Sequence, residues 1–160
     1  MIKYVNSYRK IPEGHYVFGI YEVHYDQEYG EVKLKVVNNA GYVKQLRYQL
    51  LDSNGEVNEI QASTLSRVAQ NALNDFESEE FDEQQLPGKY FEADVKWSQG
   101  KGKNANRTFD NIYPTDPADG FPDDCADRAK KLMASVAPVE TAADDETFVP
   151  DSESLDDLLG

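Results

Sequence analysis

The stretch KYFEADVKWSQGKGKNANRTFDNIYP, residues 89–114, predicts two strands joined by a short loop. Apolar residues alternate with polar ones through its first part, the period of two that a half-buried strand requires. These apolar residues are Phe91, Ala93, Val95 and Trp97. Residues 108–113 predict the returning strand, and Gly100 and Gly102 give the loop between the strands backbone freedom. The stretch therefore predicts a β-hairpin with a mobile tip.

The hairpin is locally basic, although the chain as a whole is acidic. Residues 89–107 contain five basic and two acidic residues, whereas the 160-residue chain has a formal net charge of −14. Lysine and arginine can contact phosphates, and exposed aromatic rings can stack on bases. We therefore predict that the hairpin holds single-stranded nucleic acid. The predicted phosphate contacts are Lys101, Lys103 and Arg107.

Three strands are predicted before the hairpin. They span residues 15–26, 31–37 and 42–50, and the Asn-Gly pair at 54–55 predicts that the third strand folds back through residues 57–60. The first strand has apolar residues on both faces, and Gly19 at its middle predicts a bulge. In the second strand, Val32, Leu34 and Val36 are predicted to point into the core.

One helix is predicted between the third strand and the hairpin. Ser63 or Thr64 is expected to cap it, and apolar residues recur at helical spacing from Leu65 to Phe76. Residues 75–83 follow as an acidic linker with six carboxylates. Three strands, one helix and two strands are the element order of an OB-fold, a mainly β, five-stranded Greek-key barrel.

In an OB-fold, the oligonucleotide site lies on strands two and three and on the loops between strands one and two and between strands four and five. Those loops are predicted here at residues 27–30 and 98–106. The candidate nucleic-acid contacts are Lys33, Lys35, Lys44, Arg47, Tyr48, Lys96, Trp97, Lys101, Lys103, Arg107 and Tyr113. Two interpretations of Trp97 stay open, a base-stacking platform and a plug of the barrel. For Tyr48 and Tyr113 a structural role is favoured over base contact. A solvated strand face explains any one of the cations on strands two and three equally well.

The distribution of charge divides the chain into three regions. Residues 1–115 contain 13 basic and 17 acidic residues, against 3 and 13 in residues 116–160. We predict a barrel domain at 1–114, a turn-rich acidic segment at 115–137 with a short helix over 126–136, and a disordered acidic tail at 138–160. The tip of the tail is predicted to bind a basic groove on a partner protein. Its residues are Leu155, Asp156, Asp157, Leu158 and Leu159.

Several classes of protein find no support in the sequence. The single cysteine, Cys125, excludes an internal disulfide and a multi-cysteine zinc site. His15 and His24 lie nine residues apart on the first strand, so they are expected on opposite faces. No nucleophile, metal or phosphate-loop motif is present, so we expect no enzyme, cofactor or metal. Neither a signal segment nor a membrane span is found, which predicts a soluble cytoplasmic protein.

Three motifs carry a resemblance to a known family. PEGHYVFGIYEV at 12–23, LPGKYFEADVKW at 86–97 and TFDNIYP at 108–114 resemble phage-encoded single-stranded-DNA-binding proteins of replication and recombination modules. The resemblance implies an OB-fold core, an acidic tail that recruits replication or recombination proteins, and the host cytoplasm as location. The family's tails usually finish with phenylalanine, whereas this chain finishes Leu158-Leu159-Gly160.

Two functions are compared. The first is sequence-tolerant binding of single-stranded DNA, with the acidic tail competing with DNA for the basic groove. The second is an acidic interaction protein or DNA mimic that inhibits a basic host protein. Carboxylates concentrated in a tail and a linker favour the first function, because a mimic needs them ordered on the folded surface. The sequence leaves open whether DNA or RNA is preferred and how many nucleotides are covered. It also leaves open the oligomeric state, which includes a homo-oligomer.

Overall fold

The computed structural model describes residues 1–136, and the predicted tail with its tip lies outside the described residues. Five antiparallel strands form one sheet in the order β3-β2-β1-β4-β5. The strands are β1 (Gly14–Asp26), β2 (Glu31–Asn38), β3 (Val43–Gln49), β4 (Tyr90–Gln99) and β5 (Thr108–Ala118). Helix α1 (Glu59–Leu73) lies between β3 and β4, and α2 (Asp127–Ala134) follows β5. The mainly β class and the position of α1 are confirmed.

The main core lies between the inner face of this sheet and α1. Val32, Leu34 and Val36 of β2 are buried, as their alternation predicts. The rings of Phe18 on β1 and Phe91 on β4 stack with their centroids 5.6 Å apart. Helix α1 packs on β3, β4 and β5. The burial of apolar surface between helix and sheet supplies most of the driving force for folding.

A bulge in β1 changes which residues face the core. The register against β2 shifts between Ile20 and Glu22, so the bulge lies after Gly19 and not at it. Because the shift reverses the alternation, Val23 and Tyr25 pack on the same core as Phe18 and Ile20. His15 and His24 therefore both lie on the outer face, and their predicted placement on opposite faces is wrong.

Gly19 allows α2 to approach the sheet. A Cβ atom at this position would lie 2.5 Å from the Sδ atom of Met133. Met133 and Ala129 of α2 pack with Val37 of β2 in a second, smaller core on the outer face. The absence of a side chain at Gly19 therefore serves close packing of a helix.

Helix α1 begins before the predicted caps. Asn58 is its N-cap, and the Asn58 side chain accepts a hydrogen bond of 3.3 Å from the backbone N–H of Gln61. The predicted return strand over residues 57–60 is wrong, because Val57 forms one isolated bridge with Leu51 and the helix starts at once. Phe76 lies beyond the helix and is 55% exposed.

The C-terminal part of the described chain also differs from the prediction. β5 continues to Ala118, so residues 115–118 are a strand and not a turn. The irregularity that accompanies Pro114 is a register shift between Glu92 and Ala93 on β4. Helix α2 is shorter than the predicted 126–136. No helix within residues 1–136 is long and apolar enough to cross a membrane.

The sheet curves so that its two edge strands, β3 and β5, approach each other. No strand pairing joins these edges in the described residues. Lys44 on β3 reaches Asp110 on β5 with its Nζ atom 2.6 Å from Oδ1. A groove of about 530 Å³ separates the two edges, and Thr64 and Arg67 of α1 line one part of it. The sheet is therefore an open one whose edges are bridged by an ion pair.

Candidate nucleic-acid interface

The turn between β4 and β5 is compact. Its tip is a one-turn 3₁₀ helix, Gly102–Asn104, and the backbone N–H of Gly100 donates to the carbonyl of Arg107 at 2.8 Å. Gly102 has φ +60°, in the left-handed region that glycine adopts without strain. The predicted mobile loop is thus a turn closed by its own backbone hydrogen bonds.

The turn presents three positive charges to solvent. Lys101, Lys103 and Arg107 are all exposed, and none of them forms an ion pair within residues 1–136. The Arg107 guanidinium lies 4.9 Å from the ring centroid of Phe109 at the start of β5. Stacking on a ring positions a guanidinium without neutralising it. These cations therefore remain available to an anionic ligand.

The predicted cations of β2 and β3 differ from those of the turn, because each one already has a carboxylate partner. Arg47 and Lys33 both reach Glu31, Lys33 at 3.7 Å, and Lys35 lies 3.4 Å from Glu22. Cross-strand register places these groups side by side on the outer face of the sheet. The sheet face that the OB-fold comparison favours therefore carries little unpaired positive charge in the described residues.

Two other predicted contacts already have a structural role in the fold. Tyr48 is 6% exposed and belongs to the main core, and burial raises the pKa of its hydroxyl far above the usual range. Lys44 points into the groove between the sheet edges and is held by Asp110. Base stacking on Tyr48 is excluded by its burial, and Lys44 has a structural partner.

Lys96 and Tyr113 lie on the outer face of β4 and β5, beside the acidic residue Asp94. Tyr113 is 49% exposed and sits opposite Asp94 in the strand register. His15 of β1 lies on the same face, with its ring nitrogens 2.8 Å from Glu92 and 2.7 Å from Asp94. Hydrogen bonds to Glu92 and then to Asp94 raise the pKa of His15. This patch links β1 to β4 and is unfavourable for a polyanion.

Trp97 continues the inner face of β4 past the end of the core. It is 43% exposed, and its Nε1 atom donates to the carbonyl of Ile11 at 2.7 Å. Its backbone N–H donates to Glu13 at 2.8 Å. The Trp97 ring is therefore held at its Nε1 edge, and part of its surface is exposed. This exposure disagrees with the interpretation of Trp97 as a buried plug of the barrel.

Sequence reasoning missed a cleft that the first residues of the chain form with Trp97. The cleft has a volume of about 370 Å³. Its lining residues are Tyr4, Tyr8, Arg9, Lys10, Pro12 and Trp97. The pattern of aromatic and basic residues in MIKYVNSYRK was the available signal, but without periodicity it predicted only a lead-in.

Asp110 ties this cleft to the sheet edges. One carboxylate oxygen accepts the backbone N–H of Ile11 at 2.9 Å, and the other accepts Lys44. Lys10, the neighbour of Ile11, contacts Thr108 at the first position of β5. The cleft, the basic turn and the groove between the edges therefore meet around the start of β5.

Comparison with protein-family models and with curated proteins finds no match to the chain. The resemblance to phage single-strand-binding proteins therefore remains a prediction from three short motifs.

Proposed function

We propose that the chain binds single-stranded DNA without sequence preference, in phage replication or recombination. The observation that carries the proposal is a contrast between two groups of cations. Lys101, Lys103 and Arg107 have no ion-pair partner in the described residues, whereas Lys33, Lys35, Lys44 and Arg47 are all paired. Unpaired cations release counterions when they meet phosphates, which drives binding to nucleic acid.

Exposed aromatic rings beside these cations support a single strand as the ligand. Trp97 is 43% exposed near the base of the turn, and Tyr4 and Tyr8, each 83% exposed, line a cleft with it. In duplex DNA the bases are stacked within the helix, so rings of this kind find partners on an unpaired strand. A single OB-fold covers about 4–16 nucleotides.

An OB-fold is the architecture that we propose for the domain. The position of α1 between β3 and β4 and its packing across β3, β4 and β5 support it. The approach of the edge strands at Lys44 and Asp110 supports it as well. The groove between β3 and β5 then corresponds to an incompletely closed side of the barrel.

Binding is tested by fluorescence anisotropy with labelled oligo-dT and a duplex of equal length. The full-length chain is expected to favour the single strand, and the triple variant Lys101→Ala, Lys103→Ala, Arg107→Ala is expected to bind about tenfold more weakly. The matched control removes three exposed charges from α2 by Arg128→Ala, Lys130→Ala and Lys131→Ala. α2 packs beside Tyr90, the first residue of β4, whereas the turn follows the last. The ten residues of β4 therefore separate the control charges from the turn. Equal losses in both variants would reject a site at the turn.

The acidic tail is proposed to compete with DNA and to contact replication or recombination proteins. Its eight carboxylates and lack of basic residues support the competition. Replacing these carboxylates by amides in the full chain is expected to tighten oligo-dT binding at low salt and to have little effect at high salt. Unchanged affinity at low salt would reject competition.

A second candidate function is an acidic protein that binds a basic host protein. The observation that favours it is the segment at residues 75–83, where Phe76 and Phe81 are 55% and 39% exposed among six carboxylates. None of these carboxylates forms an ion pair within residues 1–136. Absence of oligo-dT binding by the full-length chain at low salt would favour this second function.

A further inference from the structure

The cleft at Trp97 combines exposed rings and cations in one concave place. Tyr4, Tyr8 and Trp97 contribute aromatic surface, and Arg9 and Lys10 contribute charge. Its volume of about 370 Å³ is at the small end of the usual range for ligand sites, roughly 300–1,000 Å³. The two tyrosines are each 83% exposed, so packing of the core does not account for them.

Trp97 is held in position before any ligand arrives. Two hydrogen bonds, from its Nε1 to Ile11 and from its backbone N–H to Glu13, join β4 to the N-terminal segment. A ring fixed in this way loses little conformational freedom when a base stacks on it. Trp97 is therefore suited to be the stacking surface of the cleft.

Lys10 occupies a face of this ring in the free protein. Its Nζ atom lies 4.1 Å from the centroid of the Trp97 ring and also contacts the hydroxyl of Thr108. A base that stacks on that face must displace the ammonium group. Stacking of a base is generally the stronger interaction, because an exposed cation–π contact is weak in water. The displaced ammonium group would remain beside the phosphate of the bound nucleotide.

We propose that the cleft binds one unpaired base on Trp97, and that Lys10 moves from the Trp97 ring to the phosphate of that nucleotide. This inference rests on the proposed function and adds to it a single-base subsite with a lysine exchange. An aromatic cleft also suits a proline-rich peptide. Arg9 and Lys10 in the lining, and the unpaired cations of the neighbouring turn, favour a polyanion.

The test uses the intrinsic fluorescence of Trp97, the single tryptophan of the chain. The full-length protein is titrated with oligo-dT and with an abasic oligomer of the same length, while anisotropy of a label on each oligomer reports binding. Oligo-dT is expected to quench Trp97, and the abasic oligomer is expected to bind without quenching. Binding of oligo-dT without a change in Trp97 fluorescence would overturn the subsite and leave the proposed function standing. No binding of either oligomer at low salt would reject both. Quenching by a proline-rich peptide but not by oligo-dT would also overturn the subsite.

Two variants separate the stacking and exchange steps. Trp97→Ala, which removes the stacking ring itself, is expected to weaken oligo-dT binding by about tenfold, the scale of one lost stacked base. The matched control is Phe76→Ala, which removes an exposed ring far along the chain and is expected to change affinity by less than about twofold. Equal effects of the two variants would overturn the role of the cleft.

Lys10→Met tests the exchange itself. It is expected to preserve the quenching by oligo-dT and to reduce the slope of log K against log salt by about 0.7, the contribution of one phosphate contact on a single strand. A lysine that only covers the ring would leave this slope unchanged, and that result would overturn the exchange.

Discussion

Replacement of Asp110 by alanine is predicted to destabilise the fold more than is usual for a side chain that is partly exposed. The side chain of Asp110 is 14% exposed and that of Lys44 is 27% exposed. One carboxylate oxygen accepts the backbone N–H of Ile11 at 2.9 Å, and the other lies 2.6 Å from the Lys44 ammonium. Both partners lose a charged acceptor in the variant.

The size of the effect follows from these two contacts. A hydrogen bond to a charged group contributes roughly 1.5–3 kcal/mol, and solvent at Lys44 reduces the contribution of the ion pair. We expect Asp110→Ala to lower the free energy of unfolding by about 3 kcal/mol. Asp110→Asn keeps one acceptor and is expected to cost about half as much.

Urea denaturation, followed by far-UV circular dichroism, measures this loss. With an m-value of about 2 kcal/mol/M, the unfolding midpoint of Asp110→Ala should fall by about 1.5 M. Asp116→Ala on the same strand is the control, because its carboxylate is exposed and should change stability by less than about 0.5 kcal/mol. An Asp110→Ala midpoint equal to that of the control would refute the bridging role of Asp110.

Three further predictions concern the packing of α2, the start of α1 and the link between β1 and β4. Gly19→Ala should cost about 1–3 kcal/mol in urea denaturation because its Cβ meets Met133, and a smaller cost in a Met133→Ala background would confirm the cause. Asn58→Ala should cost about 1 kcal/mol as the loss of an N-cap, whereas Ser63→Ala should be near neutral. A larger loss of stability in Ser63→Ala than in Asn58→Ala would instead favour the helix start predicted from sequence. The pKa of His15 is raised in the fold, so its pairing with two carboxylates stabilises fully below the unfolded pKa of about 6.5 and is lost as pH rises through the folded pKa. The excess melting temperature of the wild type over His15→Gln should therefore shrink as the pH rises above the unfolded pKa of about 6.5, and a constant difference would contradict this link.

The strands could be predicted from sequence because their signal is local. Val32, Leu34 and Val36 alternate with polar residues, and all three are buried. The bulge was predicted at Gly19 but lies after it. Gly19 is required by the approach of Met133, and sequence periodicity does not report that contact. The start of α1 was missed because the Asn-Gly pair at 54–55 predicted a hairpin, and Asn58 just after it is the true cap.

The candidate site was predictable only where charge alone defines it. The cations of the turn were found because Lys101, Lys103 and Arg107 cluster in sequence. The pairing of Lys33 and Arg47 with Glu31 depends on strand register, so only the structure shows that Glu31 neutralises their charges. Long-range contacts such as Trp97 with Ile11 leave no periodic pattern, so the aromatic and basic residues of the N-terminal segment did not by themselves predict the cleft.

The most direct test of the proposed function is the salt dependence of oligo-dT binding. Anisotropy titrations of the wild type and the Lys101→Ala, Lys103→Ala, Arg107→Ala variant across a salt series give the slope of log K against log salt for each protein. Three lost phosphate contacts on a single strand predict a slope shallower by about 2 in the variant. Equal slopes would contradict phosphate contact at the turn, and absence of wild-type binding at low salt would contradict single-stranded-DNA binding itself.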